Sequence, residues 1–509
     1  MRLRGVARRR SSGPRWAWWL VGAAFVACVA VLVVVAFPGL RLHPITPDRP
    51  STAPSGPATP LPQGLGTYAS AVTRPDGSMD VERTVEALQA VGADHYYYLI
   101  WDRVHPGEGS RANVSSQEWA QLPDFASRAA KANISVTVYL VPPSESNAAT
   151  YLPYGWDYPA WFRAVGQVAK EHPNIRGIAL DDFAANTPGR SHAANHQPFT
   201  AGDVRSMVGE ARKGAPWLRF YAVVYSQDVV SPTGMLTAYR DVVDGVIFAF
   251  AGPRQYLHAP QNTTDPAGAF AEAQRVRRLT ECRSSTECLQ LTFPPPRLRA
   301  AIPQRIQLER IVDVGSGPSR TLKLAVLDDR STQAVGGYAI SVSIDGHSTA
   351  LSRASSAGWT SYTAAVPTSV RGTVALRVTV DARLGSKGFA TFLDDAAVSG
   401  PDIATQLPAR GWQVSGSSGT GSQVVRRLDL VFLVYCAPFG RESGLPGAAD
   451  ARYVSRVLSE IAPLVREGAL DGVVAYRLNL ERVRSKYSVG DPAAFEVVRE
   501  AYGRYRRDR

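Results

Sequence analysis

Two adjacent carboxylates, Asp181 and Asp182, end the stretch from Ile175 to Phe183, which reads Ile-Arg-Gly-Ile-Ala-Leu-Asp-Asp-Phe. Like charges that close push at least one pKa upward, so one group can hold a proton at neutral pH while its neighbour stays ionised. That is the equipment of general acid–base chemistry. The bland alternative is a helix N-cap beside a solvated neighbour. Further candidates stand at the ends of other apolar runs: Trp101 and Asp102, Tyr139 with Glu145, Tyr225, Tyr435 and Tyr476. Aromatics there can stack on a ring-shaped ligand, and Glu145 can serve as a second acid. An aromatic-rich core with loop carboxylates is the competing reading. His192 and His196, flanking Asn195 in a polar loop, are isolated, and no metal site is expected from them.

The elements that position these residues follow from periodicity. If Ile175 to Asp181 is a buried parallel strand, Ile178 and Leu180 point one way, while Gly177, Ala179 and Asp181 point the other. In a closed barrel Asp181 then faces the inner, C-terminal mouth. Over 64–288 short apolar runs alternate with amphipathic segments in six βα units, with strands expected at Gly66 to Ser70, His95 to Trp101, Ile134 to Val141, Ile175 to Asp181, Arg219 to Tyr225 and Gly245 to Phe250. Two more units follow in 416–509, with strands at Leu428 to Cys436 and Gly472 to Leu478. The intervening 289–415 has no helical period and alternates in short Gly- and Ser-flanked runs. The fold class expected is α/β: a (β/α)8 TIM barrel with an all-β sandwich inserted after its sixth unit.

Residues 1–15 are arginine-rich and 16–37 carry no charge, long enough for a transmembrane helix with a cytoplasmic N-terminus, or for a signal peptide. A Pro-, Ser- and Thr-rich spacer, 38–63, follows. The first fifty residues hold eight arginines against one acid, so +7 of the net +12 sits in the leader. The basic balance is therefore no nucleic-acid signature, and no nucleic-acid partner is expected. Cys282 and Cys288, six apart in a polar loop, suit a local disulfide in an exported protein. A cell-membrane protein with an extracytoplasmic body is the expectation. Oligomeric state has no sequence signal.

Gly358 to Tyr362, Val374 to Val378 and the closing Phe392-Leu-Asp-Asp-Ala-Ala-Val398 together resemble the jelly-roll carbohydrate-binding modules appended to sugar-active enzymes. The resemblance implies a structural role for Asp394 and Asp395, in the strand or around a Ca²⁺. The Asp-Asp pair closing the fourth barrel strand resembles the substrate-assisted N-acetylhexosaminidases of the O-GlcNAcase and bacterial hyaluronidase type. That similarity implies that Asp181 orients the substrate's own 2-acetamido group and Asp182 serves as general acid and base. The expected function is a membrane-anchored glycoside hydrolase working without a catalytic cofactor on a cell-wall or extracellular polysaccharide. Its alternative is a non-catalytic polysaccharide-binding or cell-envelope protein on a degenerate barrel.

Overall fold

The computed structural model of the chain describes residues 63–508 apart from 76–77, 102–113, 189–196, 226–227, 229–237, 253–265, 281, 283–286, 294–303, 328–334, 357–358, 385–388, 419, 439–448 and 484–489. Eight parallel strands close a barrel: β1 Leu65–Tyr68, β2 His95–Ile100, β3 Ser135–Leu140, β4 Ile175–Leu180, β5 Arg219–Val224, β6 Gly245–Phe250, β7 Asp429–Tyr435 and β8 Gly472–Tyr476. Strand β6 pairs directly with β7 in parallel register, Gly245 beside Asp429, although the sandwich lies between them in sequence. The barrel is thus completed from two distant pieces, and β8 closes it on β1.

The strands form because they are near-continuous runs of β-branched, aromatic and aliphatic residues buried on both faces. Amphipathic helices cover the outside. Helix α1 (Val81–Val91) is capped by Asp80, which accepts the Arg83 N–H, and ends on Gly92 at φ 78°, a conformation that suits glycine. Helices α2 (Val114–Lys131), α3 (Tyr158–Glu171) and α4 (Ala201–Gly214) follow β2, β3 and β4. The helices α5 (Ala269–Thr280), α6 (Ala451–Arg466) and α7 (Ala494–Arg507) follow β6, β7 and β8. Of the helix expected over 233–243, residues 233–237 lie outside the described residues.

Inside, glycines decide where large rings go. A Cβ on Gly177 would stand 3.0 Å from the Tyr221 ring, and one on Gly245 would stand 2.7 Å from it. The two glycines therefore admit Tyr221 across the barrel floor, where its hydroxyl donates to Asp429 (3.0 Å). Asp429 also accepts from Gln63 (2.9 Å) and pairs with Arg219. Buried carboxylate and cation neutralise each other there. His95, on β2, shares a 2.9 Å hydrogen bond with Thr137.

The insert is two antiparallel sheets facing a common apolar core that includes Leu308, Val378 and Leu393. Its strands run from Glu287 to Arg426, past the expected window 289–415, because Gly421–Arg426 returns to pair with Glu287–Phe293. Cys282 and Cys288 are joined by a disulfide, within a small buried cluster with Phe392 and Val425. Against that cluster the barrel presents Arg240, its guanidinium 4.7 Å from the Phe392 ring centre. Asp394 and Asp395 lie in the strand Phe389–Gly400. Among the described residues no group of three His, Cys, Asp or Glu is placed to hold a metal. Among the same residues no helix is long and apolar enough to cross a membrane. The expected tail 1–15, span 16–37 and nearly all of the spacer 38–63 lie outside them.

Burial holds His95 neutral, lowering its pKa to about 3. An unfolded histidine titrates near 6.5, so its contribution to stability is intact above that pH and is lost as pH falls, because the unfolded chain takes up the proton first. Between pH 7 and pH 5 the protein should lose about 2 kcal/mol through this residue. Urea denaturation of the parent and of His95→Gln at the two pH values tests it. The parent is expected to lose that much more than the variant, and identical losses would show that His95 is not held neutral.

Candidate active site

Strand β4 stops at Leu180, and Asp181 extends its pairing by one bond, donating its N–H to the Leu140 carbonyl (3.0 Å). The Asp181 side chain turns into the mouth. Its Oδ2 accepts the Tyr68 hydroxyl (3.0 Å), and its Oδ1 accepts the Tyr139 hydroxyl (3.2 Å) and the Asp182 N–H (2.9 Å). The last bond is possible because Asp182 adopts a left-handed backbone, φ 36°, which Asp tolerates better than most residues. Phe183 then anchors the turn Phe183–Asn186 in the core, its ring 5.2 Å from Tyr239 and 5.8 Å from Phe220.

Asn186 ties this turn to the loop after β3. Its side-chain amide donates to Ser144 Oγ (2.8 Å) and to the Asp182 carbonyl (3.1 Å), while its Oδ1 accepts the Ser144 N–H (3.2 Å). The next residue in that loop is Glu145, which is brought within hydrogen-bonding reach of the Asp182 side chain. Three carboxyl groups from two loops therefore meet. Burial, followed by the charges of Asp181 and Asp182 and the Asp182 hydrogen bond, raises Glu145 to about 10. Burial and the Asp182 charge raise Asp181 to about 7, against the lowering effect of its three donors. At neutral pH Glu145 carries a proton and Asp181 is poised between its two forms.

These groups floor a cleft at the C-terminal end of the barrel. Asp181 and Glu145 line it with Trp101, Tyr139, Tyr225, Tyr435 and Tyr476, so the described site candidates converge on one place. Asp182 joins them through hydrogen bonds to Glu145 and Tyr225. Asp102 lies outside the described residues, as do His192, Asn195 and His196. Sequence reasoning missed Tyr68 and Asn186. Tyr68 stacks on Tyr139 at 3.8 Å and on Tyr476 at 5.0 Å, and Tyr476 meets Tyr435 edge-on at 5.1 Å. Its signal was available, since Tyr68 ends the first barrel run as Tyr435 and Tyr476 end theirs. Asn186 had none, because a buried clip between loops leaves no periodicity.

No protein-family model matches the chain. No curated protein matches it either. Among solved structures, a GH18 chitinase from Pseudoalteromonas aurantia aligns at 12% identity over 42% of this chain and 75% of its own, with a TM-score of 0.27. A GH113 beta-1,4-mannanase in a complex structure aligns at 7% identity over 87% of this chain and 99% of its own, with a TM-score of 0.40. A GH5_18 variant from Streptomyces cattleya, in complex with Manb1-4GlcNAc, aligns at 14% identity over 44% and 59%, with a TM-score of 0.29. At such scores these likenesses decide neither family nor substrate, and the site's chemistry rests on its own atoms. None of the three is named as an N-acetylhexosaminidase of the O-GlcNAcase or hyaluronidase type.

A raised carboxyl pKa has a stability consequence. Glu145 contributes most below the ordinary carboxylate pKa, and that contribution declines as pH rises toward about 10, because the unfolded chain loses its proton first. Glu145→Gln, which keeps the shape and never ionises, should therefore melt above the parent at pH 8 by about 2 °C or more. The gap should close near pH 4.5. Thermal melts across this range decide it, and a variant less stable than the parent at pH 8 would show that Glu145 is not held protonated.

Proposed function

We propose that the chain is a glycoside hydrolase acting on a polysaccharide, with Glu145 as proton donor and Asp181 as its ionised partner. The observation that carries this reading is the meeting of the Glu145 and Asp181 carboxyls in one aromatic-walled cleft at the barrel mouth, where burial raises both pKa values. Glycosidic cleavage needs an acid for the leaving oxygen and a second carboxylate as base or nucleophile. The stacked Tyr68 and Tyr139 rings offer an apolar face for a sugar ring, and their hydroxyls stabilise the anionic form of Asp181. Asp182, expected from sequence to be the donor, holds both others: its N–H on Asp181 and its side chain on Glu145. Once Glu145 has given its proton to the leaving oxygen, its carboxylate faces Asp182 and Asp181 with no proton between them, and that repulsion favours its taking a proton back from the incoming water as turnover completes.

We further propose that the body works outside the cytoplasm, tethered by 16–37. The buried Cys282–Cys288 disulfide supports an oxidising compartment, and the uncharged run in the leader supports the tether. The alternative is sugar binding without turnover, which draws on one observation. Glu145 and Asp182 are hydrogen-bonded, nearer than the ~5 Å that a retaining pair keeps.

Product release from a panel of cell-wall and extracellular polysaccharides tests the proposal. Glu145→Gln and Asp181→Asn should each lower turnover at least ~100-fold, the scale of losing general acid–base assistance. For the parent, kcat/KM should rise through an apparent pKa of about 7 and fall near about 10. Tyr68→Phe removes a donor to the Asp181 anion and should move the acid limb upward. Binding without product from any polymer would favour the alternative.

A further inference from the structure

Glu145 stands in its loop between two serines, and each serine is tied to a different part of the chain. Ser144 is held by Asn186, in the turn after β4. Ser146 is held within the loop itself: its hydroxyl donates to the Pro142 carbonyl (2.9 Å) and accepts the indole N–H of Trp156 (3.1 Å), ten residues further on. It is also hydrogen-bonded to the phenol of Tyr158, which donates to the Val141 carbonyl (2.8 Å) at the stem of the loop. The Trp156 end is fixed in turn. The Gly155 N–H donates to the Tyr151 carbonyl (2.6 Å), and the Gly155 carbonyl accepts the Trp161 indole N–H from α3 (3.0 Å). A Cβ on Gly155 would stand 2.6 Å from the Ala148 carbonyl oxygen, so glycine is what lets the loop fold back this closely. Between the two ties the Glu145 N–H donates to the Pro142 carbonyl (3.0 Å), closing the turn from which its side chain meets Asp182.

We infer that Trp156 is a positioning residue for Glu145: its indole N–H, through Ser146, fixes the direction of the acid in the cleft. The consequence for turnover rests on the hydrolase reading, whereas the tie itself rests on hydrogen bonds alone. Neither Trp156 nor Ser146 lines the cleft, so their effect passes through Glu145. An acid carried on a loop has no strand pairing to hold it, and a misplacement of ~1 Å at a reacting group costs about 10²-fold in rate. The described titratable groups around Glu145 are Asp181 and Asp182 after β4, Tyr68 on β1, Tyr158 on α3 and Tyr476 on β8. Burial first and the two aspartates second make the acid hard to ionise in this position. Released into water, it ionises as an ordinary glutamate does.

Thermal melts of the full chain at pH 4.5 and pH 8 test the tie, with the parent, Glu145→Gln, Trp156→Phe and the two substitutions combined. Phenylalanine keeps an aromatic ring and removes the N–H. Trp156→Phe should cut the gain from Glu145→Gln at pH 8 by about half or more, while at pH 4.5 the two substitutions should add. A merely structural tryptophan would lower the melting temperature alike in both backgrounds and at both pH values. On a polymer that the parent cleaves, Trp156→Phe should lower kcat about tenfold with KM little changed, and should move the basic limb of the pH profile downward. Ser146→Ala removes the same bond, should reproduce these effects, and carries the test if Trp156→Phe does not fold. An equal effect of Glu145→Gln with and without the Trp156–Ser146 bond, whatever its size, overturns the inference, as does an unchanged kcat and basic limb. Cleavage by the parent together with that equality leaves the hydrolase standing and removes the tie. A diminished effect with no polymer cleaved leaves the tie and removes the hydrolase.

Discussion

A carboxylate taken out of water must be given donors or a cation, and among the described residues the Asp181 side chain receives donors alone. Two phenols and a backbone N–H reach its two oxygens, and each comes from a different constraint. Tyr68 and Tyr139 are the inward residues at the ends of β1 and β3, while the Asp182 N–H arrives only because that residue takes a left-handed turn. Remove the barrel's closure between β8 and β1 and Tyr68 loses its place. The chemistry of the mouth thus depends on a strand pairing made by the last barrel strand in the chain.

The inward alternation that builds the mouth also builds the floor. Tyr68, Tyr139, Tyr225 and Tyr435 stand at the C-terminal ends of β1, β3, β5 and β7, the alternate strands that share a layer in such barrels. Below them Thr137, Tyr221 and Asp429 occupy β3, β5 and β7 near their N-terminal ends. The two layers treat buried acid differently. Asp429 has Arg219, Gln63 and the Tyr221 hydroxyl, an arrangement that satisfies charge and stabilises the fold. Above, burial first and the neighbouring carboxylates second raise the pKa values of Asp181 and Glu145. Stability is given up at the mouth, where chemistry needs it.

The barrel was legible because its signal is periodic and redundant. Six strand–helix units and two more beyond a change of grammar left little choice about closure, and β4 and β6 fall within a residue of where the apolar runs place them. Asp181 and the strand-end tyrosines were legible for the same reason: their position follows from alternation. Glu145 was weaker, because it stands in a loop past Leu140 and nothing periodic fixes where a loop turns. What fixes it is Asn186, whose side chain bonds Ser144 and the Asp182 carbonyl at once. Such a residue reads in sequence like any polar loop position, since its partners lie 42 and 4 residues away.

The Asp181–Asp182 pair does not by itself make the site. Leu-Asp-Asp occurs again at Leu393 to Asp395 and folds the same way: Asp395 is left-handed at φ 50°, and its N–H donates to Asp394 Oδ1 at 2.8 Å. One turn ends a barrel strand and the other interrupts a sandwich strand, where the pairing slips between Asp394 and Ala397. The local sequence therefore encodes a turn that re-aims a carboxylate, and it encodes no more than that. The first copy is met by a third carboxyl and walled by aromatic rings, and both come from elsewhere in the chain. The proposed chemistry rests on that convergence, so a search for the tripeptide alone would find the sandwich as readily as the mouth.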